Sequence, residues 1–75
     1  SISDFMIIAS ASSTRQTKAL ARNIKDKMSA SGVEVIGIEG ETEGDWVLVD
    51  LGNIIVHIMT PTTRAYFNLE ELWSN

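Results

Sequence analysis

The chain has 75 residues, no cysteine and a formal net charge of −4, with 44% hydrophobic residues and a single histidine. That length supports one small domain, which can bury only about 60% of its unfolded surface. Without cysteine there is no disulfide framework and no thiolate metal cage, so an aliphatic core must hold the fold. No apolar run approaches 18 residues and no signal-like segment precedes the first run, which points to a cytoplasmic or organelle-matrix protein.

The charge is unevenly spread. Residues 1–33 carry Arg15, Lys18, Arg22, Lys25 and Lys27 against Asp4 and Asp26, a sum of +3. Residues 34–75 carry eight acids against Arg64, a sum of −7. An acidic surface repels nucleic acid and favours a basic protein partner.

Phe5-Met6-Ile7-Ile8-Ala9-Ser10 is a short, continuous apolar run and reads as a strand buried on both faces. Ser13 with Gln16 forms a capping box that starts a helix. Thr17, Leu20, Ala21, Ile24 and Met28 recur at helical spacing as its buried stripe, and Gly32 ends it. A strand–helix–strand order implies a crossover and hence a partly parallel sheet. Val33–Glu39 reads as the second strand, followed by a Gly- and Glu-rich loop, Gly40 to Gly44.

Two further strands, Asp45–Leu51 and Ile54–Met59, flank Gly52-Asn53, a good two-residue hairpin turn with Gly supplying positive φ. Thr60-Pro61 then starts a closing helix that carries Ala65, Tyr66, Leu69, Leu72 and Trp73 on one side. The expected fold class is α/β, a mixed sheet of about four strands with two helices, in the order β-α-β-β-β-α.

The hairpin turn dictates a register: Leu51 faces Ile54, Val49 faces Val56, and Val47 faces Ile58. These six aliphatic residues form a core face. Their alternates, Trp46, Leu48, Asp50, Ile55, His57 and Met59, form the other face, which mixes large apolar groups with a carboxylate and an imidazole. One account is a partly wet recognition surface with an aromatic anchor. The other is that the closing helix covers part of this face, with Trp46 in the core and Asp50 hydrogen-bonded to His57.

Catalytic readings fare poorly. Asp45 and Asp50 are five apart on one strand and point to opposite faces, so they cannot share a metal. Glu39, Glu41 and Glu43 read as solvated turn residues. Ser10-Ala11-Ser12-Ser13 lacks the glycines that let a backbone cradle phosphate, and reads as caps and turn formers. A lone His57 is a poor basis for a metal site or a nucleophile pair, and no cofactor is implied. On a docking face its titration between about pH 6 and 7 would tune binding. Arg15, Lys18, Arg22 and Lys25 cluster on one helix flank, read as solvated, with RNA contact as the alternative.

Taken together, Gly37-Ile38-Glu39-Gly40, Asp45-Trp46, Asp50-Leu51-Gly52, Val56-His57-Ile58-Met59, Arg64, Tyr66, Leu69-Glu70 and Leu72-Trp73 resemble, in order and spacing, the ribosomal silencing factor S, or Iojap-like, family. Ser1-Ile2-Ser3-Asp4 and Ser12-Ser13 resemble its first strand entry and the turn before its helix. The resemblance implies an α/β fold with nucleotidyltransferase-like topology but without that group's catalytic residues. It also implies a non-enzymatic role: binding the fourteenth protein of the large ribosomal subunit, blocking the small subunit and repressing translation.

The family's conserved tryptophan matches Trp46. The partner-binding residues expected are therefore Trp46, Asp45, Leu48, Asp50, His57, Met59, Tyr66 and Leu69, with Trp73 either packing the helix or extending the patch. Residues 1–75 would form one domain lacking a family segment of roughly 25–30 residues upstream. The compartment implied is the bacterial cytoplasm, with a mitochondrial or plastid matrix as the alternative. The rival of a different class is a homodimeric scaffold held together by the hairpin face.

Overall fold

The structure is a computed structural model that describes the backbone of residues 4–74 and the side chains of residues 4–72. Ser1-Ile2-Ser3 of the strand entry and the side chain of Trp73 lie outside the described residues. The elements run β1 (Phe5–Ser10), α1 (Thr14–Ala30), β2 (Gly37–Glu39), β3 (Trp46–Asp50), β4 (Ile54–Met59), α2 (Pro61–Phe67) and α3 (Leu69–Ser74). The strands form one mixed sheet in the order β1-β4-β3-β2, with β1 parallel to β4 and the other two pairs antiparallel. Helix α1 carries the chain from β1 across the sheet to β2 at the opposite edge, so the crossover joins two parallel strands that are not neighbours, and β1 finds its parallel neighbour in β4.

Helix α1 begins where the cap chemistry puts it. The Ser13 hydroxyl accepts the Gln16 N–H at 3.1 Å, removing one orphan donor of the first turn. The return arm lands one residue earlier than a capping box has it: Gln16 Oε1 accepts the backbone N–H of Ser12 at 3.1 Å and also the Ser12 hydroxyl. At the other end Ser31 is the cap, and Val33 N–H donates back to the Met28 carbonyl at 2.9 Å. That six-residue closure leaves the chain extended but unpaired, so the second strand is shorter than Val33–Glu39. Only Gly37–Glu39 pairs fully with β3, and Ile36 contributes a single N–H to the Asp50 carbonyl.

Val47 pairs with Ile58 and Val49 with Val56, and Leu51 N–H donates to the Ile54 carbonyl at 2.9 Å. This is the register the two-residue turn demands, with Gly52 at φ +92°. The core lies between this face and α1: Val47, Val49, Val56, Ile58 and Ala21 are buried, with Ile24, Val35, Ile38, Leu51 and Ile54 packed around them. Burial of each aliphatic side chain contributes about 1.5–3 kcal/mol. Thr17 is buried in the same layer, its hydroxyl lying between the Thr14 and Gly44 carbonyls. It ties α1 to the loop before β3. Leu20 sits at the rim of the stripe and is more exposed than its spacing implies.

Helix α1 covers β3 and β4 and leaves the same side of β1 open. Phe5 and Ile7, in register with Ile54 and Val56, are 61% and 49% exposed. Among the described residues, β1 is therefore an edge strand with one side open and not the strand buried on both faces that its unbroken apolar run suggests.

The closing helix is not continuous. Pro61 occupies its first turn, and at Asn68 the backbone turns left-handed, with φ 50° and ψ 51°. A short asparagine tolerates that conformation better than most side chains. The helix therefore splits into α2 and α3, and the single apolar stripe from Ala65 to Trp73 does not form. Tyr66 and Leu72 are exposed.

Two glycines separate backbone strain from steric exclusion. A Cβ on Gly52 would meet only Ile36 Cδ1 at 3.5 Å, whereas one on Gly40, at φ +85°, would come within 2.1 Å of the Trp46 carbonyl oxygen. Gly52→Ala is expected to cost about 1–2 kcal/mol, and Gly40→Ala clearly more, because β3 must shift to admit it. Urea midpoints of the two variants measure the difference.

Candidate functional site

The side of the sheet away from α1 carries Met6, Ile8 and Ser10 from β1, Ile55, His57 and Met59 from β4, and Trp46, Leu48 and Asp50 from β3. Helix α2 folds over one end of it. Met59 is fully buried and His57 nearly so, whereas Trp46, Leu48 and Asp50 stay half-buried. The closing helix covers part of this face, as one of the two accounts has it. The end near Trp46 is covered by α2, and the remainder is partly open.

Trp46 is the hub. Its ring lies 4.9 Å from that of Phe67 and 5.8 Å from that of His57, both tilted by 50°. Tilted contacts at these separations suit the edge-to-face attraction of aromatic rings. The indole N–H donates to His57 Nδ1 at 2.9 Å. An indole nitrogen can only donate, so Nδ1 must be the unprotonated nitrogen and the histidine proton sits on Nε2. His57 is therefore partnered by Trp46 and not by Asp50. The Asp50 carboxylate instead accepts the Gly52 N–H at 2.9 Å, within the hairpin turn.

Tyr66 packs edge-on against Phe67 at 4.9 Å. Tyr66, Phe67 and Leu72 are 81%, 45% and 70% exposed, and through Phe67 the exposed aromatic pair adjoins Trp46. Leu69 is half-buried and Asp45 exposed. Arg64 fastens this corner: its guanidinium donates to Ser10 Oγ at 3.0 Å and to Glu70 Oε2 at 2.8 and 2.9 Å. One side chain thus links β1, α2 and α3. The pairing raises the Arg64 pKa and lowers that of Glu70 through their hydrogen bond.

Of the expected partner-binding residues, Trp46, Tyr66, Leu69 and Asp45 line or fringe this corner. Leu48 lies further along the sheet. Asp50 is engaged with the hairpin turn. Met59 offers no surface and His57 almost none, so both lie beneath the corner and support it. Sequence reasoning missed Phe67 because an unbroken helix turns it away from the Trp46 side. Asn68, a residue that tolerates the left-handed conformation, was the available sign that the helix stops at Phe67.

Part of the basic flank of α1 is engaged. Arg22 pairs with Glu41 at 2.8 Å, and Lys18 Nζ donates to the Thr42 carbonyl at 3.3 Å. The basic flank of α1 is thus turned partly onto the acidic loop. No described helix is long and apolar enough to cross a membrane.

The fold and this corner define a small mixed α/β domain that presents an aromatic surface at the α2-covered end of its sheet. Residues 1–75 match the family model described as "Ribosomal silencing factor during starvation", and the chain belongs to that family. It is 47% identical over 68 residues to a ribosomal silencing factor of Chromobacterium violaceum, covering 91% of this chain and 56% of that relative. A crystal structure of a protein from the same organism superposes with a TM-score of 0.90 at 46% identity, covering 93% of this chain and 58% of that one. A mouse protein named for mitochondrial assembly of the ribosomal large subunit is 32% identical over 74 residues, covering 95% of this chain and 32% of the relative. The chain thus spans a little over half the length of the bacterial relatives.

Burial lowers the His57 pKa from its ordinary 6.5. Accepting the indole N–H favours the neutral ring and acts in the same direction. The native state therefore resists protonation where the unfolded chain accepts it. Stability should be level above about pH 6.5, then fall as the pH drops towards the depressed native value. Urea midpoints measured through that range in the parent and in His57→Asn check this, since the variant should lack the histidine step.

Proposed function

We propose that residues 1–75 act as one non-enzymatic docking domain that binds the large ribosomal subunit through the Trp46 corner. The partner is its fourteenth protein, and the bound domain keeps the small subunit away, so translation falls. The observation that carries this reading is the aromatic chain in which exposed Tyr66 packs on Phe67 and Phe67 on half-buried Trp46, with exposed carboxylates at Asp45, next to Trp46 in sequence, and at Glu70, held by Arg64. Apolar side chains concentrated in one place mark a contact surface. An aromatic anchor ringed by polar groups is the usual form of a binding hot spot. Carboxylates at the rim suit a basic ribosomal protein and would speed its encounter.

Family membership supports a role in translation, and the mouse relative's name supports the large subunit. The chemistry of the face argues against catalysis. Asp50 is committed to the hairpin turn, and Asp45 lies outside the β3 row that holds it, so these two carboxylates do not converge. The bacterial cytoplasm, or the matrix of a mitochondrion or plastid, is where such a partner is found.

Binding of the purified domain to large subunits, measured by co-sedimentation, tests the proposal. Trp46→Ala and Tyr66→Ala should each weaken binding by about tenfold or more. Tyr66→Ala should leave the melting temperature nearly unchanged, because Tyr66 is exposed. Unchanged binding in both variants would overturn the reading.

A second reading, self-association of two copies, is favoured by a separate observation. Among the described residues the outer edge of β1 is unpaired; it carries no proline and no charge from Phe5 to Ser10, and Phe5 and Ile7 stand exposed. Natural edge strands usually carry such guards against pairing. This reading places any dimer on β1 and not on the hairpin face. Ile7→Lys should then abolish concentration-dependent dimerisation in sedimentation velocity, while subunit binding stays at the parental level.

A further inference from the structure

We propose that His57 is the positioning residue of the docking surface: by accepting the Trp46 indole N–H it holds the anchor ring in the orientation that binds. The inference rests on the docking reading above and deepens it. Trp46 has three constraints on its ring. Phe67 packs on it from α2, His57 packs beside it from β4, and the hydrogen bond to His57 Nδ1 at 2.9 Å is directional. The first two are dispersion contacts, which tolerate rotation of an indole within its slot. The hydrogen bond does not, because its strength falls steeply once the N–H turns away from the acceptor.

His57 itself has little freedom. It is buried on a central strand, in register with Ile8 on one side and Leu48 on the other. Its position is thus set by the sheet, and it transmits that position to a ring at the edge of the covered region. A side chain held in its bound orientation loses less entropy on docking, which strengthens binding without a new contact.

The same bond makes docking sensitive to protons. A doubly protonated imidazole has no acceptor nitrogen, so uptake of a proton by His57 must break the bond and leave two donors facing each other. The charged groups around His57 do not offset this. Asp50, on the same face of β3, is turned to Gly52 N–H, and Arg64 of α2 is turned to Ser10 and to Glu70 of α3. Glu39, in the same row beyond Leu48, is exposed at the far strand. Acid therefore acts on the anchor directly.

The test compares two substitutions in a Trp73→Phe background, where Trp46 is the single tryptophan. In His57→Asn the amide oxygen can take the place of Nδ1 as acceptor but cannot titrate. His57→Phe keeps a ring and has no acceptor. Large-subunit binding and Trp46 emission are measured for both and for the parent, from about pH 7.5 down to about pH 5.5.

At the higher pH, His57→Asn should bind within a few-fold of the parent. His57→Phe should bind about tenfold more weakly and show shifted Trp46 emission. As the pH falls, parental affinity should drop together with a change in Trp46 emission, and His57→Asn should stay flat. Parental binding by His57→Phe, or an equal acid loss in His57→Asn, would overturn the inference. If His57→Phe fails to fold, the pH comparison of parent and His57→Asn decides alone. Loss of binding in Trp46→Ala with none in His57→Phe would sink this inference and leave the docking reading standing. Full binding by Trp46→Ala would sink both.

Discussion

The pairing of β3 with β4 sets everything that follows. Side chains alternate across a strand, so the register at Leu51–Ile54 decides which residues are enclosed and which are presented. With Val47 opposite Ile58 and Val49 opposite Val56, the β-branched residues meet α1. Trp46, Leu48 and His57 then fall on the other side. A slip of one residue in either strand would drive an imidazole or an indole under α1 and bring valines into the open. The two-residue turn prevents that slip. Gly52 adopts the positive φ, and the Asp50 carboxylate accepts its N–H. The Asp50 carboxylate is thus a turn lock that fixes the register of both faces.

The two faces are stabilised in different ways. On the α1 side, small and branched aliphatics pack without polar groups, apart from Thr17, whose hydroxyl is satisfied by carbonyls of α1 and of the loop before β3. On the other side the cover is only α2, seven residues long, and α3, six residues long. Helices this short have no independent stability in water. They stay because Phe67 packs on Trp46 and because Arg64 reaches Ser10 on β1 and Glu70 on α3. The exposed ion pairs contribute little each, so their value here lies more in geometry than in energy.

Much of this was legible in the residues. The α1 cap at Ser13, the hairpin at Gly52-Asn53, the strand Ile54–Met59 and the division of β3 and β4 into two faces follow from local rules in which a single physical effect prevails. A hydroxyl satisfies an orphan N–H, a glycine takes the positive φ, and a period of two marks a half-buried strand. The four-stranded mixed sheet follows from the crossover. The errors arose where a local rule met a tertiary one. Val33–Glu39 has strand composition throughout, yet Val33 is taken up by the helix-ending bond to Met28, and only the last three residues reach β3. The stripe Ala65, Tyr66, Leu69, Leu72 and Trp73 fits a continuous helix, and only the left-handed turn at Asn68 divides it. For the site, residue type picked out Trp46, Tyr66 and Leu69. It could not say that Asp50 belongs to a turn, that Met59 lies beneath the surface, or that Phe67 lies beside the anchor.

The break at Asn68 also explains how so small a chain keeps an apolar surface exposed without enclosing it. A continuous closing helix would lay Tyr66, Leu69 and Leu72 along one stripe, and such a stripe would fold back onto the sheet. Splitting the helix turns the segments apart. Phe67 goes inward to Trp46, while Tyr66 and Leu72 remain in solvent. The sheet beneath reaches the indole through His57, so the orientation of Trp46 is tied to the central strand β4.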